Sequence, residues 1–439
     1  VENPDRVYFS STPVKYSDDG GRTSGNTTVG VHVDHHAMWM DPNDPNHMIV
    51  GNDGGIALTW DKGGNWLVPN VIPIGQFYHV TYNMDTPYRV CGGLQDNGTW
   101  CGPSRRARGS ITNYMWATVS GGDGFVTAQH PTEHDVVWAE SQGGNMARLD
   151  LATGDRTSLV KPAWRDRYLE YEDSVLVVWD DSLNAPPTAA QERIDRFREL
   201  QQADSASRVL RWNWNTPFFI SPHDPDVFYA AANRVMKSTQ RGDDLQIISE
   251  DLSYADPEKI RISTRTTGGI TPDVTGAETF ATVVSLDESP LVQGKLYAGT
   301  DDGRLWLSPD DGQTWIERTG AYDGLVPEGT YVSRIEPSQH AAERFYVTFD
   351  NHRRNDFTPY VLVTEDDGES FRSIASGIPQ EWPADGPNFA HVVREDPVNP
   401  NLLFVGTDLG VWVSTDRGEN WRRFQNGLPT VPVHDLRIH

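Results

Sequence analysis

The chain has 439 residues and carries 37 Lys and Arg against 62 Asp and Glu, which gives a formal net charge of −25. This charge excludes nucleic acid as a natural partner, because a protein that binds a polyanion needs a basic surface. No stretch approaches the roughly 18 apolar residues of a membrane span, so no membrane-spanning helix is expected. Gly (39) and Trp, Tyr and Phe (15 each) are abundant, which favours short strands, tight turns and an all-β protein.

One sequence unit recurs along the chain. It consists of an apolar strand that ends at a glycine, a polar turn, a second strand, and then Asp-x-Gly followed by an aromatic residue. The clearest copies end at Trp66, Trp315 and Trp421. Weaker copies occupy residues 88–102, 135–155, 226–245 and 344–371, and residues 6–23 supply a partial one. Such units cannot bury both faces alone and must stack, so the repeat predicts a β-propeller of seven or eight four-stranded blades.

A tighter pattern, Ser/Thr-x-Asp-x-Gly-x-(Thr/Ser/Asn)-aromatic, lies within these units. It is found at residues 59–66, 308–315, 364–371 and 414–421, with a degenerate copy at 17–23. The aspartate can accept backbone N–H bonds within the turn, the glycine allows a positive φ, and the aromatic ring packs between sheets. These aspartates are therefore predicted to be structural. The pattern resembles the Asp-box of sialidase-type repeats, xyloglucanase propellers and sortilin-type domains.

Further segments extend this resemblance over nearly the whole chain. They are residues 30–37 (Gly-Val-His-Val-Asp-His-His-Ala), 51–55, 92–98, 211–215, 221–225 and 406–410. Together they are similar to a group of bacterial exported proteins described as sortilin-like or as glycosyl hydrolases of the BNR-repeat type. The resemblance implies an extracellular, periplasmic or cell-surface propeller that binds a glycan or an exported peptide in its central funnel. The hydrolase label rests on the repeat alone, so enzymatic activity stays open.

The whole chain, residues 1–439, is expected to form a single propeller domain. Residues 431–439 have the pattern of a strand that could close the ring with the partial unit at 1–24, and the chain is also compatible with being a fragment of a longer one. Residues 166–208 lack the repeat, and the helix formers after Thr188 predict a partly helical insertion. This insertion could be a lid, a surface for a protein partner or a passive decoration.

Two cysteines flank a predicted hairpin centred near Asp96. Cys91 and Cys101 would lie opposite each other across this hairpin, which predicts a disulfide. The alternative is a pair of half-buried thiols. A disulfide would persist only in an oxidising compartment, which agrees with export.

A histidine-rich segment follows Gly30. Strand alternation would place His32, Asp34 and His36 on one face and His35 on the other. Three such ligands could hold a divalent metal ion, although no cofactor is required by the sequence. The alternatives are hydrogen-bonded histidines that line a central channel, or a general acid and base.

Polar residues also follow the ends of several predicted strands. The catalytic candidates are the carboxylates Asp34, Asp53, Asp96, Asp123 and Glu140, and the ligand-binding candidates are His32, His36, Asn52, Gln95, Asn97, Gln142, Trp212, Asn213, Trp214 and Asn215. Carboxylates that alternate with amides suit sugar hydroxyls, which need both donors and acceptors. Two carboxylates about 5–5.5 Å apart, or roughly 6.5–9.5 Å apart, could hydrolyse a glycosidic bond. The alternative is that these residues only satisfy their own turns.

Three functions remain open from the sequence: a propeller that binds a glycan or peptide, a glycoside hydrolase, and a scaffold in a cell-surface assembly. A hydrolase should contain a buried carboxylate with a raised pKa. A binding protein should place aromatic rings and amides around carboxylates that are all paired. A scaffold should expose a contiguous apolar patch.

Overall fold

The computed structural model describes residues 3–69, 72, 74–162, 210–256, 259–260, 279–380 and 386–439. The predicted insertion at 166–208 lies outside the described residues. The regular secondary structure of the described chain is nearly all strand, with short 3-10 helices at Asn113–Met115, Thr319–Tyr322 and His352–Arg354. Its strands form eight antiparallel sheets, which confirms the predicted class of all-β propeller. No helix in the described ranges is long and apolar enough to cross a membrane.

The first of two compact units comprises Val1–Gln76 and Leu94–Gly98. It contains two three-stranded sheets with the orders β1-β2-β3 and β4-β5-β6. Their strands are β1 (Val7–Phe9), β2 (Lys15–Ser17), β3 (Gly25–Asn26), β4 (His35–Met40), β5 (Met48–Asn52) and β6 (Gly55–Thr59). An isolated antiparallel bridge between Leu58 and Leu67 marks where a fourth strand would pair with β6.

The second unit comprises Phe77–Gly93 and Thr99–His439 and contains six four-stranded sheets. The first three sheets are formed by β7 (Phe77–Tyr82), β8 (Arg89–Leu94), β9 (Gly98–Pro103) and β10 (Ala117–Ser120); β11 (Gly124–Gln129), β12 (Val136–Ser141), β13 (Asn145–Asp150) and β14 (Arg156–Ser158); and β15 (Phe218–Ile220), β16 (Phe228–Ala231), β17 (Val235–Ser238) and β18 (Gln246–Ile247).

The last three sheets are formed by β19 (Val283–Glu288), β20 (Leu296–Thr300), β21 (Leu305–Ser308) and β22 (Ile316–Glu317); β23 (Tyr331–Pro337), β24 (Phe345–Asp350), β25 (Tyr360–Thr364) and β26 (Arg372–Ser373); and β27 (Ala390–Glu395), β28 (Leu403–Thr407), β29 (Gly410–Ser414) and β30 (Arg422–Phe424). In every sheet of this unit the strands follow one another in chain order.

In the second unit, the first strand of each sheet packs against the first strand of the next sheet. These strands are, in order, β7, β11, β15, β19, β23 and β27. A hydrophobic core lies between each pair of consecutive sheets. Tyr346 and Val361, for example, pack with Leu403, Val405 and Trp421 of the following sheet. Where a sheet is covered on both faces, its second strand is buried along its whole length instead of on alternate residues, as in the fully buried β24.

The repeated aspartate motif forms a local turn and also joins neighbouring sheets. At residues 59–66, Asp61 Oδ1 accepts hydrogen bonds from the Thr59 hydroxyl (2.7 Å) and the Asn65 backbone N–H (2.8 Å). The motif tryptophan then donates its indole N–H to a carbonyl of the preceding sheet region. These bonds are Trp66 to Thr27 (2.8 Å), Trp315 to Ile248 (3.0 Å) and Trp421 to Ile374 (2.6 Å).

A disulfide joins Cys91 of β8 to Cys101 of β9. Both side chains are buried in the core between their own sheet and the sheet of β11–β14, against Val119, Val137 and Ala139. The bond therefore lies inside an inter-sheet interface of the second unit.

Residues 431–439 lie in the second unit and contact its first and last sheets. The Val433 N–H donates to the Thr407 carbonyl of β28 (2.9 Å), and the Tyr82 hydroxyl of β7 donates to the Ile438 carbonyl (2.7 Å). The predicted single domain, with its ring closed by 431–439 and 1–24, concerns the relation between the two units and stays a prediction.

Candidate functional site

The histidine-rich segment belongs to the first unit and is only partly a strand. β4 begins at His35, and Asp34 before it has a positive φ of 57°. The Asp34 N–H donates to the Thr12 carbonyl (2.9 Å), which holds this conformation. The prediction that His32, Asp34 and His36 share one face of a strand is therefore wrong, because the chain turns at Asp34 before the strand starts.

His32 and His36 contact different partners. His32 Nε2 lies 2.9 Å from the Asp96 carbonyl oxygen, whereas His36 Nε2 lies 2.8 Å from Asp53 Oδ1. Across the described ranges, no group of three or more His, Cys, Asp or Glu residues is arranged to hold a metal ion. The predicted ligands His32, Asp34 and His36 are thus not brought together into one site.

Two further polar candidates of the first unit, Asn52 and Asn97, bind backbone groups of turns. Asn52 Oδ1 accepts the Gly54 N–H (3.0 Å), and Asn97 Nδ2 donates to the Gln95 carbonyl oxygen (2.9 Å). These two contacts match the alternative in which such residues satisfy their own turns. Asn97 Nδ2 also donates to the Asp53 carbonyl oxygen (2.9 Å), which joins two different turns.

In the second unit, Asp123 connects three segments that lie far apart in sequence. This buried residue immediately precedes β11, and its Oδ2 accepts hydrogen bonds from Gln142 Nε2 and from the Trp214 indole N–H, both at 3.1 Å. The Gly143 N–H donates to the Trp214 carbonyl (3.1 Å), which fixes the same two segments through their backbones. Asp123, Gln142, Trp212, Trp214 and Asn215 form the group called here the Asp123 site.

Glu140 lies beneath this site and is fully buried. Its Oε1 accepts the Gly144 N–H (3.0 Å), which closes the turn between β12 and β13. Burial raises the pKa of Glu140 well above its ordinary value, and the charge of Asp123 adds to this increase. Burial therefore favours the protonated form of this carboxyl group, which has no surface exposed for a ligand to touch.

Lys161 is a member of this region that the sequence analysis missed. Its Nζ donates to the Gly143 carbonyl (2.7 Å) and lies 5.0 Å from the centre of the Trp212 ring, a cation–π distance. The Trp212 ring in turn covers Gly144, where a Cβ would lie 2.2 Å from the ring. Gly144 is thus required for the close approach of Trp212 to the turn. No motif marks Lys161, because its partners come from elsewhere in the chain.

The segment 210–216 is not a strand, since β15 starts only at Phe218. Residues 212–215 therefore do not present separate aromatic and amide faces as a strand would, but both asparagine side chains are bonded. Asn213 Nδ2 donates to the Thr282 hydroxyl (2.8 Å), and Asn213 Oδ1 accepts the Asn215 N–H (3.1 Å). Asn215 Nδ2 lies 2.9 Å from His79 Nε2. Asn213 thus shapes the segment, while Asn215 links it to β7.

His79 leads to a buried charged group that the sequence analysis also missed. Asp435 Oδ1 accepts a hydrogen bond from Arg394 (2.9 Å) and lies 3.6 Å from Arg334. Burial alone would raise the pKa of Asp435, but Arg437, Arg334 and Arg394 hold it well below its ordinary value. Three separate segments, β23, β27 and residues 431–439, supply these charges, so no local motif could reveal them.

The carboxylate candidates are divided between the two units. Asp34, Asp53 and Asp96 lie in the first unit, while Asp123 and Glu140 lie in the second. Within the second unit, Asp123 is paired with neutral donors, as expected of a binding site, and Glu140 has the raised pKa expected of an enzyme. Since Glu140 is enclosed and Asp123 is already bonded to Gln142 and Trp214, the arrangement is better suited to holding a ligand than to transferring a proton.

Comparison with known proteins gives distant structural likenesses. No family model matches the sequence, and no curated protein matches it. The chain is similar to a GH74 xyloglucanase from Xanthomonas campestris, with 13% identity, coverage of 99% of this chain and 73% of that chain, and a TM-score of 0.30. It is also similar to YCF48 from Cyanidioschyzon merolae (11% identity, 91% and 87% coverage, TM-score 0.38) and to YCF48 bound to D1 peptide (10% identity, 82% and 84% coverage, TM-score 0.44). Likenesses this distant carry no argument about function.

Proposed function

We propose that the protein is a recognition propeller that binds a glycan at the Asp123 site of its second unit. The observation that carries this proposal is the joining of Asp123, Gln142 and Trp214 by side-chain hydrogen bonds before any ligand arrives. A site held in this way loses little conformational freedom on binding. Carboxylate and amide groups beside an indole ring suit a sugar, which offers hydroxyls along its edge and C–H groups on its face.

The aromatic part of the site is accessible as well as fixed. Trp212 and Trp214 are only partly buried, although Lys161 and Asp123 hold them in place. The exposed parts of these two rings are therefore available to contact the C–H groups of a sugar. Apolar side chains of a peptide could contact the same rings. Binding of peptides instead of glycans would therefore change the proposed ligand from a glycan to a peptide.

A binding screen over glycans and peptides tests this function. We expect glycan binding by the wild type, and a loss of about tenfold or more in affinity for Asp123→Asn and Trp212→Ala. Asp155→Asn and Trp60→Ala are matched controls, because both residues are exposed and neither belongs to the site. Binding of peptides alone would reject the glycan ligand, and silence toward both classes would reject a recognition role at this site and favour the scaffold.

Glycoside hydrolysis is a second candidate, and one observation favours it. The charge of Asp123 contributes to the raised pKa of the buried Glu140, and a carboxyl group with a raised pKa beside a second carboxylate is how the acid is provided in such enzymes. Reducing-end release measured on the glycans that bind would identify a hydrolase if Glu140→Gln abolished it. Binding without release would leave recognition as the function.

We propose that the protein works in an oxidising compartment outside the cytoplasm, at the cell surface, in the periplasm or in the extracellular space. The Cys91–Cys101 disulfide supports this, because such bonds persist where thiols are not kept reduced. Mass spectrometry of protein isolated from its natural location should find the two cysteines paired. Free thiols there would remove the support for export.

A further inference from the structure

Residues 431–439 join the last sheet of the second unit to its first without belonging to any sheet. The Val433 N–H is bonded to Thr407 of the last sheet, and the Ile438 carbonyl is bonded to Tyr82 of the first. The Arg437 side chain donates to the Val80 carbonyl of β7 (3.2 Å). The segment is therefore held by the first strand of one sheet and by strands of the other.

Side chains from the sheets of the second unit form hydrogen bonds with the backbone of residues 431–439. Arg394 Nε donates to the Leu436 carbonyl (2.8 Å), and the Tyr82 hydroxyl donates to that of Ile438. The Leu436 N–H is bonded to the side chain of Asp435 beside it (2.9 Å). Proteins hold short bound peptides in this way, whereas β7 and β27 are held by continuous ladders of their sheets. The segment can thus leave without breaking a sheet.

Asp435 is the best-enclosed group of the segment, with a side chain only 2% exposed. Besides its contacts with Arg394 and Arg334, its Oδ2 accepts the Val80 N–H (3.3 Å) and lies 3.5 Å from His79 Nδ1. These donors come from β7, β23 and β27 and converge on a single carboxylate. Such convergence is typical of a binding site for an anion.

The surrounding arginines favour an anion at this position. Arg394 donates to a second carboxylate, Glu336 Oε2 (2.5 Å). Arg334 forms its ion pair with Asp435. Burial lowers the pKa of Arg334 to about 10, against the opposing effect of Asp435. Without the Asp435 carboxylate, the buried Arg334 would lose its ion pair, which is unfavourable. Departure of the segment removes Asp435 together with Arg437 and leaves Glu336 and Asp287 as the nearby carboxylates, so the position between Arg334 and Arg394 is open to another anion.

From these contacts we propose that the centre of the second unit is a binding site for an extended acidic peptide, and that residues 431–439 are its built-in occupant. An aspartate of a peptide from another protein replaces Asp435 between Arg334 and Arg394, and its backbone takes the bonds from Arg394 and Tyr82. The segment reaches this site through residues 425–430, which are mostly exposed, so it can move while the sheets stay in place. This proposal does not depend on glycan binding at the Asp123 site.

Cleavage of the connecting residues provides the test. A protease site replaces residues 426–429 in the full chain, the purified protein is cut, and a labelled synthetic peptide with the sequence of residues 431–439 is added. We expect the cut protein to keep its thermal transition and to exchange its own segment for the labelled peptide. A peptide with Asp435→Asn should bind about tenfold more weakly or worse, because it lacks the anion. A Val431→Ala peptide is the matched control, since Val431 is exposed.

Two results would overturn the proposal. If the cut protein stays folded and never exchanges its segment, or unfolds once the segment is released, residues 431–439 are an integral part of the fold. If the Asp435→Asn peptide binds as well as the native sequence, the arginines do not distinguish a carboxylate from an amide. An uncut Asp435→Asn protein gives an independent check, because it should bind the native peptide where the wild-type protein does not. Glycan binding, measured on the same samples, reports separately on the Asp123 site.

Discussion

Asn215 and Asp435 contact opposite nitrogens of one imidazole ring, that of His79. Asn215 Nδ2 lies 2.9 Å from Nε2, while Asp435 Oδ2 lies 3.5 Å from Nδ1. Burial lowers the pKa of His79, against the opposing charge of Asp435. One side chain of β7 thus connects the proposed ligand site with the buried charges at the centre of the second unit.

Replacement of His79 by phenylalanine should destabilise the protein. The substitution removes the contacts that this ring makes with Asn215 and with Arg334, whose guanidinium lies 3.3 Å from Nδ1. Leaving such groups without a partner costs about 1–3 kcal/mol, which urea denaturation would resolve. His439→Phe is the control, because its exposed ring stacks on Tyr88 and phenylalanine can keep that contact. Equal stability of the two variants would show that the His79 contacts contribute nothing.

The indole N–H of Trp421 should contribute to stability independently of its ring. Trp421→Phe keeps an aromatic ring in the core but removes the donor to the Ile374 carbonyl, so the buried oxygen loses its bond. We expect a loss of about 1–3 kcal/mol in the free energy of unfolding. The same substitution at Trp60, which is 55% exposed, should change stability little. Similar losses at both positions would assign the effect to ring size.

Glu140 should make stability fall as the pH rises. Its pKa is raised in the folded protein, so the folded state keeps a proton that the unfolded state releases above about 4.5. The contribution is fully favourable below that pH and is lost as the pH increases toward the folded-state pKa. Glu140→Gln cannot ionise, so its melting temperature relative to wild type should rise between pH 4.5 and 8. Exposed Glu369→Gln serves as the control, and a parallel pH profile for all three proteins would contradict the assignment.

His434 should make the docking of residues 431–439 sensitive to acid. Partial burial of its ring lowers the pKa to about 4, and nearby His391 and His79 act in the same direction, while Asp408 and Asp350 oppose them. A histidine with a lowered pKa favours the docked state at pH above about 6.5, and this contribution is lost as the pH falls toward 4.

Hydrogen exchange at the Val433 amide, which is bonded to Thr407, would follow this change. Protection should decrease from pH 6.5 to 4 after correction for the intrinsic exchange rate. His434→Phe should reduce this dependence and leave only the part due to His79 and other groups. An unchanged profile in the variant would remove His434 from the explanation.

The repeat predicted the fold because its information is local. Within residues 59–66, Thr59, Asp61 and Asn65 bond one another inside a single turn, and Trp66 then packs on the neighbouring sheet region. The bonds among Thr59, Asp61 and Asn65 do not depend on distant chain segments, so the spacing of the residue types was sufficient to predict the repeated turns and the sheets that they connect.

The site was less predictable because its residues meet only in three dimensions. Asp123, Gln142 and Trp214 were each proposed from the sequence, but their common hydrogen bonds depend on how three segments approach one another. Lys161 and Asp435 were missed for the same reason. The prediction for the histidine-rich segment failed for a different reason. Asp34 adopts a positive φ, which the alternation of side chains along a strand does not anticipate.

The tryptophans of the repeated aspartate motif give their bonds between sheets a direction. Trp66, Trp315 and Trp421 each donate to a carbonyl that lies earlier in the chain, whereas Trp138, which is outside the motif, donates to the later Arg241 carbonyl. Removing sheets from the carboxyl end uncovers carbonyl oxygens, which water can readily solvate. Removing them from the amino end instead uncovers the face and N–H of a large apolar ring. Shortened chains should therefore remain soluble more often when they are trimmed from the end that is synthesised last.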